Sequence, residues 1–154
     1  MQPRRFKIPT ASSDERVPKF NVVVAFDGAE KSSSAALKTC DYVISQLGGD
    51  VQVRRKVVKF DRASSQRTRA AAANDAARAD MVIVATGDPS SLPSEMQKWL
   101  DEWSAKRSAE EGALVAIFNK SSKAVASGRN AVRDQLAQLA RQMHMDFFSS
   151  EAMA

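Results

Sequence analysis

The stretch ADMVIVATGDPSSLPSEMQKWLDEW, residues 79–103, decides the fold of this chain. Its first part, Met81–Ala85, is a continuous apolar run without alternation, which is typical of a parallel strand covered by helices on both faces. A polar turn over Thr86–Pro93 follows, and a helix is predicted to begin at Ser94. Ligands of open α/β sheets bind at the carboxyl ends of such strands, so this turn is the predicted place for a site.

Apolar strands and amphipathic helices alternate on both sides of this stretch. The other strands are predicted over Phe20–Phe26, Val51–Phe60, Ala113–Phe118 and Met145–Ser149. The other helices are predicted over Glu30–Leu47, Asp61–Arg78 and Arg129–Met143. Five strands that alternate with four helices predict an α/β fold with an open, five-stranded parallel sheet and right-handed crossovers. The count matches the flavodoxin-like three-layer fold, in which the strand order is 2-1-3-4-5.

Local signals predict how these elements begin and pack. Asp61 is a suitable N-cap for the second helix, whose apolar residues are nearly all alanine. Ser94 and Gln97 have the spacing of a capping box for the third helix. Both tryptophans fall on one apolar face of that helix, which predicts a place in the core rather than a platform for a ligand. The apolar positions of the second strand change phase at residues 57–58, which predicts a bulge or a twist at a sheet edge.

The final helix of a flavodoxin-like fold, which covers one sheet face beside the last strands, has no counterpart in the predicted elements. An uncovered apolar face is not tolerated in a soluble monomer. Either residues 1–18, a predicted flexible and basic arm, fold over this face, or a second copy packs against it. We expect a homodimer of flavodoxin-like α/β domains that each occupy residues 19–154.

Composition narrows the class of protein. The 154 residues are 44% hydrophobic and 27% charged, as expected for one globular domain. The single cysteine, Cys40, fits a reducing compartment, and no apolar run has the length of a membrane span. The first residues lack the apolar segment of a signal peptide, so a cytoplasmic location is expected. One histidine, His144, and one cysteine provide no ordinary zinc site, and no metal is predicted.

Basic side chains concentrate between Arg54 and Arg69, where the sequence contains seven of them and a single acidic residue. A patch of this kind suits a polyanion such as nucleic acid. It also suits an edge strand that charge protects from pairing with other chains. We favour the second interpretation, because neither a recognised nucleic-acid fold nor interleaved aromatic residues accompany the patch.

The stretch Ala79–Asp101 resembles the middle motif of NAD(P)H-dependent FMN reductases, which are flavodoxin-fold enzymes. In that family a strand ending in Thr leads through Pro-Glu-Tyr-Asn-Gly to a Pro-Gly helix start, and an Asp follows. Thr86, Pro93 and Asp101 fall close to those positions, although the turn is one residue shorter. Asp88 stands in place of the Glu, and no aromatic residue stands where the Tyr flanks the flavin. The resemblance implies an FMN-dependent oxidoreductase in which these flavin contacts are degenerate.

The first loop of those reductases, Gly-Ser-x-Arg-x-x-Ser, binds the FMN phosphate. The corresponding segment here, DGAEKSS over residues 27–33, keeps only the last Ser. A phosphate needs free N–H groups at a helix N-terminus, preferably with hydroxyls and without anions nearby. The serines and Lys31 suit this requirement, but Asp27 and Glu30 would repel a phosphate dianion. Acidic residues in the first turn of a helix are also common as ordinary caps. Because of these two carboxylates, no cofactor is the expected result, and FMN is kept as the alternative.

The stretch VVVAFDGAEKSSSAAL, residues 22–37, is similar to the opening of universal stress proteins, where Val-Ala-x-Asp-Gly-Ser begins an adenine-nucleotide site. That resemblance implies that Asp27 faces the nucleoside. The later Gly-x-x-Gly-x9-Gly-Ser/Thr loop of the ATP-binding members is not reproduced after Thr86. Both likenesses are compatible with a shared architecture alone, which does not determine function.

The predicted ligand-binding residues lie after strands one, three and four. They are Asp27, Gly28, Ser32, Ser33, Ser34, Thr86, Gly87, Asp88, Ser90, Ser91 and Asn119. We predict a non-catalytic binding or interaction module, with no catalytic residue assigned. The alternatives are a small NAD(P)H-dependent FMN reductase and a nucleotide-binding stress-type protein.

Overall fold

The computed structural model describes residues 19–27, 30–47, 51–60, 65–87, 92–107, 111–119 and 131–152. Its strands are β1 (Lys19–Phe26), β2 (Gln52–Lys59), β3 (Met81–Thr86), β4 (Ala113–Asn119) and β5 (Asp146–Ala152). Its helices are α1 (Glu30–Leu47), α2 (Gln66–Ala77), α3 (Ser94–Lys106) and α4 (Ala131–Gln142). The predicted arm, residues 1–18, lies outside the described ranges. None of the helices within them combines the length and the apolar character needed to cross a membrane.

The five strands form one sheet in the order β2-β1-β3-β4-β5, and every neighbouring pair is parallel. The predicted flavodoxin-like order 2-1-3-4-5 is therefore confirmed. Because all strands run in the same direction, the chain leaves the sheet at one edge and returns along the helices to the opposite edge. The carboxyl ends of β1, β3 and β4 consequently lie side by side at one end of the sheet, which we call the carboxyl edge.

The predicted bulge in the second strand is wrong. Each residue of β2 pairs with one residue of β1, from Lys19 opposite Gln52 to Phe26 opposite Lys59. The change of phase has a different cause, because β2 is an edge strand whose two faces are both partly covered. Val57 is 45% exposed, while Val58 on the other face packs against the main core. The prediction that this strand lies at a sheet edge is confirmed.

The larger core lies between the sheet and the helices α2, α3 and α4. The buried side chains of α2 are all alanine, whereas α3 contributes two tryptophans, a methionine and a leucine. Small residues let α2 approach closely, and the bulky side chains of α3 fill the remaining volume. The ring of Trp99 lies between Phe60 and Trp103, with centroid distances of 5.2 and 5.7 Å. The predicted core position of both tryptophans is confirmed.

The helix starts differ from the predicted caps. Ser65 caps α2, because its Oγ accepts a hydrogen bond from the Thr68 N–H at 3.1 Å; the predicted cap, Asp61, lies outside the described residues. The capping box of α3 is also wrong, since Pro93 occupies the cap position and makes no side-chain cap hydrogen bond. Its extended backbone already offers the carbonyl that accepts from the Gln97 N–H at 2.9 Å.

A half-buried arginine, Arg107, binds the backbone at the end of α2. The Nη1 group of Arg107 donates to the carbonyl oxygens of Ala76 (3.3 Å) and Ala79 (2.9 Å), and Nη2 donates to that of Glu111. Only the Ala76 carbonyl belongs to α2, and it also accepts from the Ala79 N–H at 3.2 Å, so Arg107 adds a second donor there and links the helix end to the residues before β4. Burial lowers the pKa of the Arg107 guanidinium. Beside it, Gly112 has a φ of 147°, and a Cβ there would collide with the Arg107 Nη2 atom.

The opposite face of the sheet carries a smaller core under α1. Ala36 and Cys40 of α1 pack there against valines and isoleucines of the sheet. Cys40 is only 1% exposed, and burial raises the pKa of its thiol. Of the four described helices, α1 alone covers this minor face. Val115 and Ile117 of β4 are nevertheless buried there, whereas Phe148 of β5 is 57% exposed.

Candidate functional site

Asp27 joins the carboxyl ends of β1 and β3. Its Oδ2 accepts a hydrogen bond from the Gly87 N–H at 2.7 Å and another from the Thr86 hydroxyl at 3.1 Å. Its own N–H donates to the Ala85 carbonyl at 3.3 Å. Thr86 is buried and Asp27 is half-buried, so the link lies at the boundary between core and solvent. We call Asp27, Thr86 and Gly87 the carboxyl rim.

The other predicted site residues divide into three groups. Ser33 is half-buried and Ser34 is exposed in the first turns of α1. Ser32 lies in α1 and Asn119 ends β4, but their side chains are outside the description. The remaining predicted residues, Gly28, Asp88, Ser90 and Ser91, lie outside the described ranges altogether. The structure therefore brings Asp27, Thr86 and Gly87 into contact, and the wider site stays a prediction.

The carboxyl rim presents a hydrogen-bond acceptor, the carboxylate of Asp27. A carboxylate stands where the first helix begins, and it already holds the backbone N–H of Gly87 that points to this edge. A helix N-terminus attracts anions, but a neighbouring carboxylate opposes the attraction. No group of three or more histidine, cysteine, aspartate or glutamate side chains within the described ranges is arranged to hold a metal ion.

A groove at the other edge of the sheet escaped the sequence interpretation. It has a volume of about 370 Å³ and lies where β1 and β2 begin, beside the end of α2. Its polar lining consists of Asn21, Arg54, Lys56, Asp75 and Arg78. We call it the amino-end groove. Alternation along a strand does place residues 54 and 56 on one face, but only the packing of α2 adds Asp75 and Arg78.

Comparison with known proteins supports the fold and no narrower assignment. No protein-family model matches the chain, and no curated protein matches it. Among solved structures it is similar to a flavodoxin of Streptococcus pneumonia TIGR4, with 17% sequence identity and a TM-score of 0.52. The similarity covers 87% of this chain and 86% of that one. The chain has a flavodoxin-like fold.

The carboxylate of Asp27 is the charged group that the described carboxyl rim would present to the phosphate of FMN. The carboxylate of Asp27 stands immediately before the loop where the FMN reductases hold that group. Because two protein donors fix this carboxylate, it cannot turn away without losing both hydrogen bonds. The fixed negative charge opposes a phosphate dianion at the same edge.

Proposed function

We propose that this flavodoxin-like domain is a non-catalytic binding or interaction module that works without a flavin. Its ligand or partner would contact the carboxyl edge of the sheet, over residues 27–34, 86–91 and 119–123. The observation that supports the proposal is the pair of hydrogen bonds that Asp27 accepts from Thr86 and Gly87. They hold a carboxylate immediately before residues 28–34, the segment in which a flavin phosphate would need donors.

The competing function is a small FMN reductase, and the similarity to a flavodoxin favours it. A reductase of this kind would need the carboxyl rim to admit a dianion. The described rim instead presents the carboxylate of Asp27. The Thr86 hydroxyl and the Gly87 N–H, which could donate to a phosphate, already donate to this carboxylate. A nucleotide-binding stress-type protein meets a related difficulty, since Asp27 would have to face the nucleoside while it bridges two strands.

Protein purified without added cofactor is expected to be colourless and to show no saturable quenching of FMN fluorescence at micromolar concentrations. The Asp27→Asn variant removes the charge but keeps an oxygen that accepts from Gly87 and Thr86, so its FMN affinity should rise above that of the wild type. Fluorescence titration of both proteins measures the difference.

Asp146→Asn is a matched control for that titration, because it makes the same substitution at an exposed residue that begins β5, at the opposite end of the sheet from the carboxyl rim. It should bind FMN as weakly as the wild type. A micromolar dissociation constant for FMN in the wild type would contradict the proposal and favour the reductase. Equal, weak binding by all three proteins would show that the charge of Asp27 is not what excludes the cofactor.

We also propose that the domain forms a homodimer through the minor face at β5. The support is the exposed ring of Phe148, on the face that α1 alone covers among the described helices. Light scattering at micromolar concentration should give twice the mass of the chain, and Phe148→Ser should shift the population to monomer. Tyr42→Ser is the control, because Tyr42 is equally large and exposed but lies on α1. A monomeric wild type would contradict this assembly.

A further inference from the structure

The lining of the amino-end groove contains three cationic side chains and one carboxylate. Lys56 Nζ lies 3.3 Å from Asp75 Oδ1, which pairs one cation with the one carboxylate of the lining. The guanidinium groups of Arg54 and Arg78 make no hydrogen bond or ion pair with any residue in the described part of the chain. Two exposed arginines therefore flank a concave space of about 370 Å³ with their donors free.

We propose that the amino-end groove binds the phosphate group of a small phosphorylated molecule. A phosphomonoester carries a charge of about −1.5 to −2 at neutral pH, which matches the two unpaired guanidinium groups. Arginine presents donors in a planar fork that suits phosphate oxygens. The volume is within the range of small-molecule sites, roughly 300–1,000 Å³, so there is room for a group attached to the phosphate.

Asn21 adds a neutral donor on a rigid support. Its backbone N–H donates to Asp80 Oδ2 at 2.8 Å, and its carbonyl accepts from the Asp80 N–H at 2.8 Å. These bonds fix the backbone of Asn21, whose side-chain amide has no hydrogen-bond partner in the described part of the chain. Asn21 lines the groove together with both arginines, so an amide without a protein partner accompanies their guanidinium groups.

The end of α2 does not cancel this attraction. A helix C-terminus carries partial negative charge on its free carbonyls. Here the carbonyl of Ala76, in the last turn of α2, accepts hydrogen bonds from the Ala79 N–H and from the half-buried guanidinium group of Arg107. A cation bonded to the helix end offsets part of the dipole that would oppose an anion.

A discrete anion fits these residues better than a polynucleotide does, because the basic cluster of the sequence is dispersed in the fold. Arg55 points to the other face of the sheet, where it pairs with Asp41 at 2.9 Å. Arg69 is directed inward to Glu95 and Glu102, at 2.6 and 2.7 Å, with its side chain 13% exposed. Its hydrogen bond holds the pKa of Glu95 below the ordinary value. No continuous basic stripe is left among the described members of the cluster.

The test is an NMR titration of the full chain with inorganic phosphate and then with adenosine monophosphate, at constant ionic strength set with chloride. Saturable shifts are expected for the amides of Asn21, Arg54, Lys56 and Arg78. The double variant Arg54→Glu/Arg78→Glu should weaken both probes by about tenfold or more. The double variant Lys38→Glu/Arg141→Glu makes the same change of charge at exposed sites on α1 and α4 and should bind as the wild type does.

Three results would overturn the proposal. The first is the absence of saturable shifts in the wild type, and the second is an equal loss of affinity in both double variants. The third is tight binding of a single-stranded oligonucleotide that Arg67→Glu abolishes and Arg54→Glu/Arg78→Glu does not. Unchanged shifts outside the groove show that a variant is folded. FMN is itself a phosphomonoester, so the FMN titration is repeated on Arg54→Glu/Arg78→Glu. Binding that this variant abolishes belongs to the amino-end groove, whereas binding that it retains bears on the carboxyl rim.

Discussion

Replacing Trp99 with alanine is expected to lower the free energy of unfolding by about 3–5 kcal/mol, the usual range for a large buried aromatic side chain. The indole of Trp99 is fully buried and has ring contacts with both Phe60 and Trp103. The cavity cannot collapse easily, because the facing side chains of α2 are alanines that have no length with which to fill it. We therefore expect a loss in the upper part of that range.

The indole N–H of Trp99 predicts a difference in stability between the alanine and phenylalanine variants. It is buried and has no hydrogen-bond partner within the described residues. An unsatisfied buried donor costs about 1–3 kcal/mol, so Trp99→Phe, which removes the donor and keeps an aromatic ring, should be much less damaging than Trp99→Ala. Urea denaturation followed by far-ultraviolet circular dichroism measures both losses without relying on tryptophan fluorescence.

Tyr42→Ala is the control for this series, since its ring is 65% exposed and should contribute less than about 0.5 kcal/mol. A loss below about 1.5 kcal/mol for Trp99→Ala would contradict the packing described for the larger core.

The Gly112→Ala variant is expected to be destabilised by about 2–4 kcal/mol, which combines backbone strain with a collision. Its φ of 147° is a conformation that residues with a Cβ rarely adopt. The new methyl group would also meet Arg107 Nη2 and approach the Asp80 carbonyl to 3.2 Å. Moving Arg107 aside would break its hydrogen bonds to the end of α2, so the backbone and the side chain oppose the substitution together.

A double-mutant cycle separates the two contributions. In an Arg107→Ala background the collision is removed, and Gly112→Ala should then cost only its backbone strain. Thermal or urea unfolding of the four proteins gives the coupling free energy. Glu111→Ala is the control, because the exposed Glu111 supplies only its backbone carbonyl to Arg107. If the losses of unfolding free energy of the two substitutions are strictly additive, the Arg107 guanidinium group moves away from the new methyl group without a loss of stability.

The strand order was predictable because its signals are contained in short segments. The apolar run of β3, the apolar face of α3 and the separating polar turn each specify an element, and right-handed crossovers leave few topologies. The same locality explains the errors at the boundaries. The predicted helix start at Ser94 is correct, but the predicted cap is wrong by one residue, since Pro93 supplies the first carbonyl.

The polar contacts could not be predicted in this way, because they join distant parts of the chain. Asp27 reaches Gly87 across 60 positions, and Arg69 reaches Glu102 across 33. The amino-end groove likewise needs β1, β2 and the end of α2 in place before its arginines share one space. In the sequence, Arg54 through Arg69 form one basic patch, whereas the fold divides these side chains between the two faces of the sheet and an inward ion pair.

The burial of Cys40 between α1 and the sheet makes its thiol a probe for the opening of that helix. A thiol reagent reaches this side chain only when the helix lifts away from the sheet, because the residue is almost wholly covered. The rate of labelling in native buffer thus reports how often α1 opens. The dependence of this rate on denaturant concentration distinguishes local opening from global unfolding. One cysteine in the whole sequence means that every labelled molecule reports the same event.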